Sequence, residues 1–261
     1  MTRLKSWQMV ALGLVILWSL SWVVSMLPQV TQFDPNFTGL PTGPSLQHWL
    51  GTDEMGRDLL LRCIAGAKIS LGIGILTVAL SLSIGATVGL LAGFFGWLDA
   101  LLMRFTDVML CIPGLFLILT LQALLGPSLW HVILVLGVTG WMGIARLVRA
   151  TVLSIKERPF ILAARARGLP PYRILWRHIF PHTFSPLIVC GILGMANAIL
   201  SESALSFLGL GVQPPQASWG NLLENSLSTM QTAPWLAIAP GLWITGTVLS
   251  LHWIGDQLQR E

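Results

Sequence analysis

Three groups of side chains in this chain have the types and spacing to do chemistry, and the largest is basic. Arg146, Arg149, Lys156, Arg158, Arg165, Arg167, Arg173 and Arg177 make up eight of the fifteen Lys and Arg residues, with only Glu157 opposing them. Such a cluster is suited to docking a partner rather than to breaking a bond. The second group is the octet Gly51, Thr52, Asp53, Glu54, Met55, Gly56, Arg57 and Asp58. Its carboxylates could hold a cation, but their spacing matches no calcium loop. The favoured reading is structural: Thr52 or Asp53 caps the helix that follows, and Arg57 and Asp58 pair with neighbouring loops. The third group is sparse. Arg104 and Asp107 stand three residues apart and can neutralise each other on one helix face. Glu202 lies alone in another apolar run that also holds Asn197.

Several chemistries have no residues to carry them. No Gly-x-x-x-x-Gly-Lys-Ser/Thr phosphate loop is present, so the chain does not cradle ATP in that manner by itself. No serine–histidine–acid pattern and no His-rich metal site stands out, and His131 and His252 are isolated. Cys63, Cys111 and Cys190 show no paired spacing, and the last two fall in apolar runs where packing is expected. A non-catalytic chain that binds no metal or cofactor of its own is the expectation.

The elements that must position these groups are membrane helices. Of the 261 residues 54% are hydrophobic and 10% charged, against roughly 25% charged in ordinary globular chains. A net charge of +4 could suggest nucleic acid, but the charge gathers in one stretch between apolar runs. That pattern marks membrane topology, because Lys and Arg beside a span stay in the cytoplasm. The apolar runs predict six spans, over residues 7–27, 69–95, 101–125, 128–147, 183–205 and 233–254, each near the ~20 residues that cross a bilayer core. The first follows Arg3 and Lys5 and is too long for the apolar core of a cleaved signal peptide, so it reads as an anchor. Residues 28–47, with Pro28, Pro35, Pro41 and Pro44, read as extended loop. Gly85, Gly89 and Gly93 recur every fourth residue, giving one helix face small enough for close approach in lipid. Gly137, Gly140 and Gly143 offer further small contacts, and Pro113 is placed to kink the third span. Trp22, Trp97, Trp130 and Trp235 sit near span ends, as an interfacial belt requires. Six spans put both termini and the basic stretch, residues 156–182, on the cytoplasmic side. Within it, residues 161–167 predict a short helix ended by Gly168, Pro170-Pro171 a turn, and residues 172–180 a second short helix stopped by Pro181. Residues 221–230 read as a short helix lying at the outer surface, and Gly255-Asp256 as the end of the last span.

With these residues in place, a resemblance emerges. Ala163-Ala164, Gly168 and Ile179-Phe180-Pro181 are similar to the coupling-loop motif of ABC importer permeases, with Leu162 where that motif carries Glu. Residues 51–58 resemble the Gly-Thr-Asp-x-x-Gly-Arg-Asp signature of the second permease subunit of dipeptide, oligopeptide and nickel importers. The run from Ala204 through Phe207, Gly209, Gly211, Pro214 and Pro215 to Trp219-Gly220 resembles the peptide members of that branch, and the likeness extends from about His48 to the last span. It implies an all-α membrane protein with the type I ABC importer permease fold. Residues 1–65 would be an anchor and external segment, 66–255 the permease unit and 256–261 a short cytoplasmic tail. Ala163, Ala164, Arg165, Gly168, Leu169 and Pro181 would form the coupling helix that meets the ATPase. The implied partners are a second, homologous permease, two ATP-binding subunits that carry ATP and Mg, an extracytoplasmic substrate-binding protein and the lipid of a bacterial inner membrane, with no nucleic acid. The implied cargo is short peptides, with nickel or a metal chelate as the alternative. An ion-coupled secondary transporter would need an intramembrane carboxylate, for which only Asp107 and Glu202 qualify. An embedded enzyme would need facing catalytic groups, which the chain lacks.

Overall fold

A computed structural model describes residues 6–27 and 41–260. Arg3, Lys5, Pro28 and Pro35 lie outside the described residues. The chain is built of helices: α1 (Ser6–Val24), α2 (Leu59–Phe94), α3 (Gly96–Cys111), α4 (Gly114–Leu125), α5 (Leu129–Thr139), α6 (Trp141–Lys156), α7 (Pro159–Ala166), α8 (Pro171–Ile174), α9 (Phe184–Phe207), α10 (Trp219–Asn225) and α11 (Trp235–Gln259). Among the described residues the only β pairing is an isolated bridge between Thr52 and Asp58.

Helix α2 is the central column, packed against α1, α3, α5, α6, α9, α10 and α11. Its closest partner is α6, and the small-residue face explains why. A Cβ added at Gly85, Gly89 or Gly93 would lie 2.7 Å from the Cβ of Ile144, Val148 or Val152 respectively. Both sets advance by four, so the two helices run parallel and one branched side chain of α6 seats over each glycine. Lipid tails are as apolar as these side chains, so backbone proximity and dispersion hold the pair, not exclusion of water. Gly137 and Gly140 extend the face against Leu80 and Ser81, whereas Gly143 has no neighbour within 4 Å of a built Cβ. On the other side of α2, Gly191 and Gly194 of α9 meet Val78.

Four helical runs are long and apolar enough to cross a membrane: Leu59–Phe94, Leu129–Lys156, Pro171–Phe207 and Trp235–Gln259. A fifth would be the pair Gly96–Cys111 and Gly114–Leu125, bent by 83°. The expected third span is therefore two helices that meet at a sharp bend. Pro113 lacks an N–H and forces Ile112 to extended backbone (φ −80°, ψ 125°), which ends α3 where a gentle kink was expected. Helix α1 has 19 residues, of which Gln8–Val24 form a shorter apolar helix. Its Met9, Leu12, Val15, Ile16 and Val23 point away from the bundle.

Several boundaries differ from the sequence reading. Helix α2 begins at Leu59, because Asp58 caps it there. The fourth run continues to Lys156 through a junction at Gly140, so Arg146, Arg149 and Lys156 belong to the same helical run. Helix α11 passes through Gly255-Asp256 to Gln259. Cys111 is exposed and Cys190 half-buried, so neither is a core residue; Cys63 is the buried one.

Candidate coupling elbow and signature cluster

The elbow between α6 and α9 is held by apolar side chains. Ile161 and Ala164 of α7, Ile174 of α8, and Leu175 and Ile179 beyond it are buried in one cluster with Leu90 of α2 and Val148, Val152 and Ile155 of α6. Proline opens α7 and α8 at a position where its missing N–H costs nothing. Gly168, at φ +73°, closes α7: its N–H donates to the Arg165 carbonyl and the Leu169 N–H to the Ala164 carbonyl. This is the paired C-terminal cap that a left-handed residue permits.

Pro181 does not stop the second helix. Five residues, Leu175–Ile179, widen into a π turn in which the Phe180 N–H donates to the Leu175 carbonyl. Phe180–Thr183 then tighten into a 3₁₀ turn with Pro181 in its first turn, and the chain enters α9. The widened turn takes up the bond that proline removes, and the elbow is continuous with the span behind it.

The basic cluster divides in two. Arg149 clamps Asp99 of α3 through Nε and Nη2, Arg146 reaches Asp107, and Lys156 donates to the Gly93 carbonyl. These three cations tie α6 to α2 and α3. Arg158, Arg165, Arg167, Arg173 and Arg177 are exposed, and none forms an ion pair among the described residues. Phe160, Leu162, Tyr172 and Trp176 stand exposed beside them. The expected Arg104–Asp107 pair is not formed: Asp107 bonds across to Arg146, and Arg104 is exposed without an ion-pair partner among the described residues.

At the opposite end of α2, polar groups are buried and most of them are paired. Asp53 Oδ1 accepts from the N–H groups of Met55 and Arg57, and Oδ2 from Arg57 Nε at 2.8 Å and Arg62 Nη1 at 2.6 Å. The cap is Asp58, not Thr52 or Asp53: its Oδ1 accepts from the Leu61 N–H and its Oδ2 lies 2.9 Å from His48 Nδ1. Thr52 instead joins Thr42, accepting the Thr42 N–H at Oγ1. Gly51 and Gly56 have positive φ, and a Cβ at Gly51 would sit 2.3 Å from the Thr42 carbonyl.

The second signature segment packs onto the first. Trp219 is fully buried; its Nε1 donates to the Cys63 carbonyl and its backbone N–H to Ser70 Oγ. Ser218 and Asn221 form a capping box at the start of α10, and Trp219 and Asn221 are buried, so this helix is an inserted element and not one lying on the outer surface. Glu202 is fully buried and accepts from Ser206 at 2.7 Å, Ser218 at 2.8 Å and Ser70 at 3.4 Å. Gly209 caps α9 as Gly168 caps α7, with φ +75° and the same two backbone bonds. Gly211 and Gly220 have no room for a side chain beside Ser206 and Ser203. Pro214 and Pro215 line a cavity with Asp53, Arg57 and Arg62, whereas Phe207 is exposed. The sequence reading missed Arg62, Ser70, Ser206 and Ser218. A lone arginine in the first turn of an apolar span was the one available signal.

Between the two ends, Thr77, Ser81, Thr139, Asn197 and Ser201 line a shallow cleft of about 210 Å³ bounded by α2, α5 and α9.

A family model described as "Binding-protein-dependent transport system inner membrane component" matches residues 85–261. The dipeptide transport system permease protein DppC of Alkalihalophilus pseudofirmus is 39% identical over 261 residues, covering 98% of this chain and 86% of that protein. The glutathione transport system permease protein GsiD of Pectobacterium atrosepticum is 38% identical, with 96% and 84% covered. The oligopeptide transport system permease protein OppC of Bacillus subtilis is 34% identical, with 99% and 86% covered. Among solved structures, the MetNI methionine ABC transporter in inward facing conformations superposes with a TM-score of 0.62 at 19% identity, over 77% of this chain and 95% of that one.

Proposed function

The chain belongs to the family of binding-protein-dependent transport system inner membrane components, and from that premise we propose that it imports short peptides with the elbow as its power input. It is the permease subunit of an ATP-driven importer. Its relatives are named for dipeptides, oligopeptides and glutathione, which favours peptides over nickel or a metal chelate as cargo.

In this reading the chain crosses the membrane six times, with α1 and the broken α3–α4 pair as the spans beyond the four long runs, and both termini are cytoplasmic. Residues up to about 65 form an anchor and external segment, and the remainder forms the permease unit with a short tail. A second permease completes the pathway, with the polar cleft of Thr77, Ser81, Thr139 and Asn197 as this chain's contribution. Two ATP-binding subunits carry ATP and Mg, this chain binds no cofactor, and an external binding protein delivers cargo.

The observation that carries the proposal is the construction of the elbow. Its apolar face is bonded into α2 and α6, while its outer face keeps five cations and four large apolar side chains free. Force applied to Ala163, Arg165 or Leu169 therefore reaches the bundle as a rigid-body movement, through Gly168 and the continuous helix into α9. ATP binding drives the cycle only if the ATP-binding subunits hold the two permease states with different affinity. The test is Gly168→Val in the reconstituted importer. ATP-driven uptake of a dipeptide should fall at least tenfold while the subunits still co-purify; full uptake would rule out the elbow as coupler.

A further inference from the structure

Beyond coupling, the signature cluster contains a feature that its structural role does not use. A cavity of about 290 Å³ opens between the loop of residues 53–57, the first turn of α2 and the segment after α9. Its charged wall is Asp53, Arg57 and Arg62. The two arginines are 8% and 2% exposed. Among the described residues each guanidinium donates one side-chain hydrogen bond, and both bonds end on the same atom, Asp53 Oδ2. Arg62 Nε is buried without any partner. Two buried cations thus share one carboxylate oxygen, leaving several guanidinium N–H donors uncommitted among the described residues. Glu54 does not take up these donors: it is exposed at the rim, and its Oε1 accepts from the Ser228 hydroxyl. The remaining walls include Met55, Leu59, Pro214, Pro215 and Leu222.

We infer that this cavity binds the carboxylate end of a short peptide or N-blocked amino acid, the carboxylate taken by Arg57 and Arg62 and an apolar side chain lying against Met55, Leu222 and the two prolines. Guanidinium is a planar fork that matches a carboxylate, and charge-assisted bonds of this kind are the stronger class. A chloride-sized or tetrahedral anion would leave the apolar walls unused, and an uncharged apolar ligand would leave the arginines unpaired. The volume is near the lower limit of small-molecule sites, which suits one residue and its terminus and no larger ligand. The site stands on this cavity alone. Its failure would leave the elbow and the permease assignment untouched, because neither uses these side chains.

The test is binding of N-acetyl-leucine to the purified full chain in lipid nanodiscs, followed by saturation-transfer NMR. Saturable binding is expected, with N-acetyl-leucinamide at least tenfold weaker. Met55→Trp, which fills the mouth without touching an ion pair, should abolish the signal. Arg62→Lys, which keeps the charge and loses the fork, should weaken it about tenfold. Thermal melting of each variant checks the fold. Equal binding of the amide would make this an apolar crevice and overturn the proposal. Displacement by sulfate as effective as by N-acetyl-leucine would make it an undiscriminating anion site. Equal binding of N-acetyl-isoglutamine, the α-amide of N-acetyl-glutamic acid, which offers only a side-chain carboxylate, would overturn the assignment to a peptide end. Binding that survives Met55→Trp, or no binding to a chain that melts normally, would also overturn it.

Discussion

The elbow and the signature cluster solve opposite problems with the same residue types. At the elbow, arginines are exposed and unpaired among the described residues, and apolar side chains do the anchoring. At the signature cluster, arginines are buried against Asp53, and backbone N–H groups of Leu61, Thr42 and Trp219 donate to Asp58, Thr52 and Ser70. A free cation in water is available to a partner and adds little to the fold. A buried, paired cation holds geometry, and removing its partner leaves a charge that nothing solvates. One end is therefore built to be grasped and the other to keep its shape.

Four sets of substitutions break or sharpen this contrast. The largest effect should come from Asp53→Ala, which strands Arg57 and Arg62: about 3–5 kcal/mol of stability is lost, read as a fall in melting temperature in detergent. Next are the two glycines with positive φ. Gly51→Ala adds a Cβ 2.3 Å from the Thr42 carbonyl, whereas Gly168→Ala adds one into open space. The latter costs only the left-handed backbone, about 1–2 kcal/mol, and Gly51→Ala should cost clearly more in the same melt; equal costs would show that the signature cluster is no tighter than the elbow. Third, Arg149→Ala removes a bidentate clamp on a part-buried Asp99, and Arg146→Ala an exposed contact. Both should stay within about 1 kcal/mol, with Arg149 the larger. The smallest effect on stability belongs to Arg165→Ala with Arg167→Ala, within about 0.5 kcal/mol. That pair should nonetheless weaken retention of the ATP-binding subunits and steepen its loss with salt, seen by co-purification at rising ionic strength.

The contrast also shows what the chain makes legible. Local signals read correctly: the four-residue glycine spacing of α2 and the left-handed stop at Gly168 each depend on neighbours in sequence. Signals that depend on distant neighbours did not. Arg104 and Asp107 have the spacing of a pair, yet Arg146 of α6 reaches Asp107, and nothing in the periodicity of α3 reveals that. Glu202 reads as a lone carboxylate because Ser70 and Ser218 come from other elements. Pro181 marks a stop in isolation. The π turn before it makes the bonds differently, and the helix continues. Pro113 shows the reverse: its local effect was anticipated, but the size of the bend, 83°, is not written in the neighbouring residues.

The most direct measurement places a photo-activated cross-linker at Leu162, which stands exposed on α7. In the assembled importer the adduct should form with an ATP-binding subunit, and its yield should change between nucleotide-free and ATP-bound states. An adduct with the external binding protein, or none while ATP-driven uptake proceeds normally, would contradict the elbow as the point where the importer is driven.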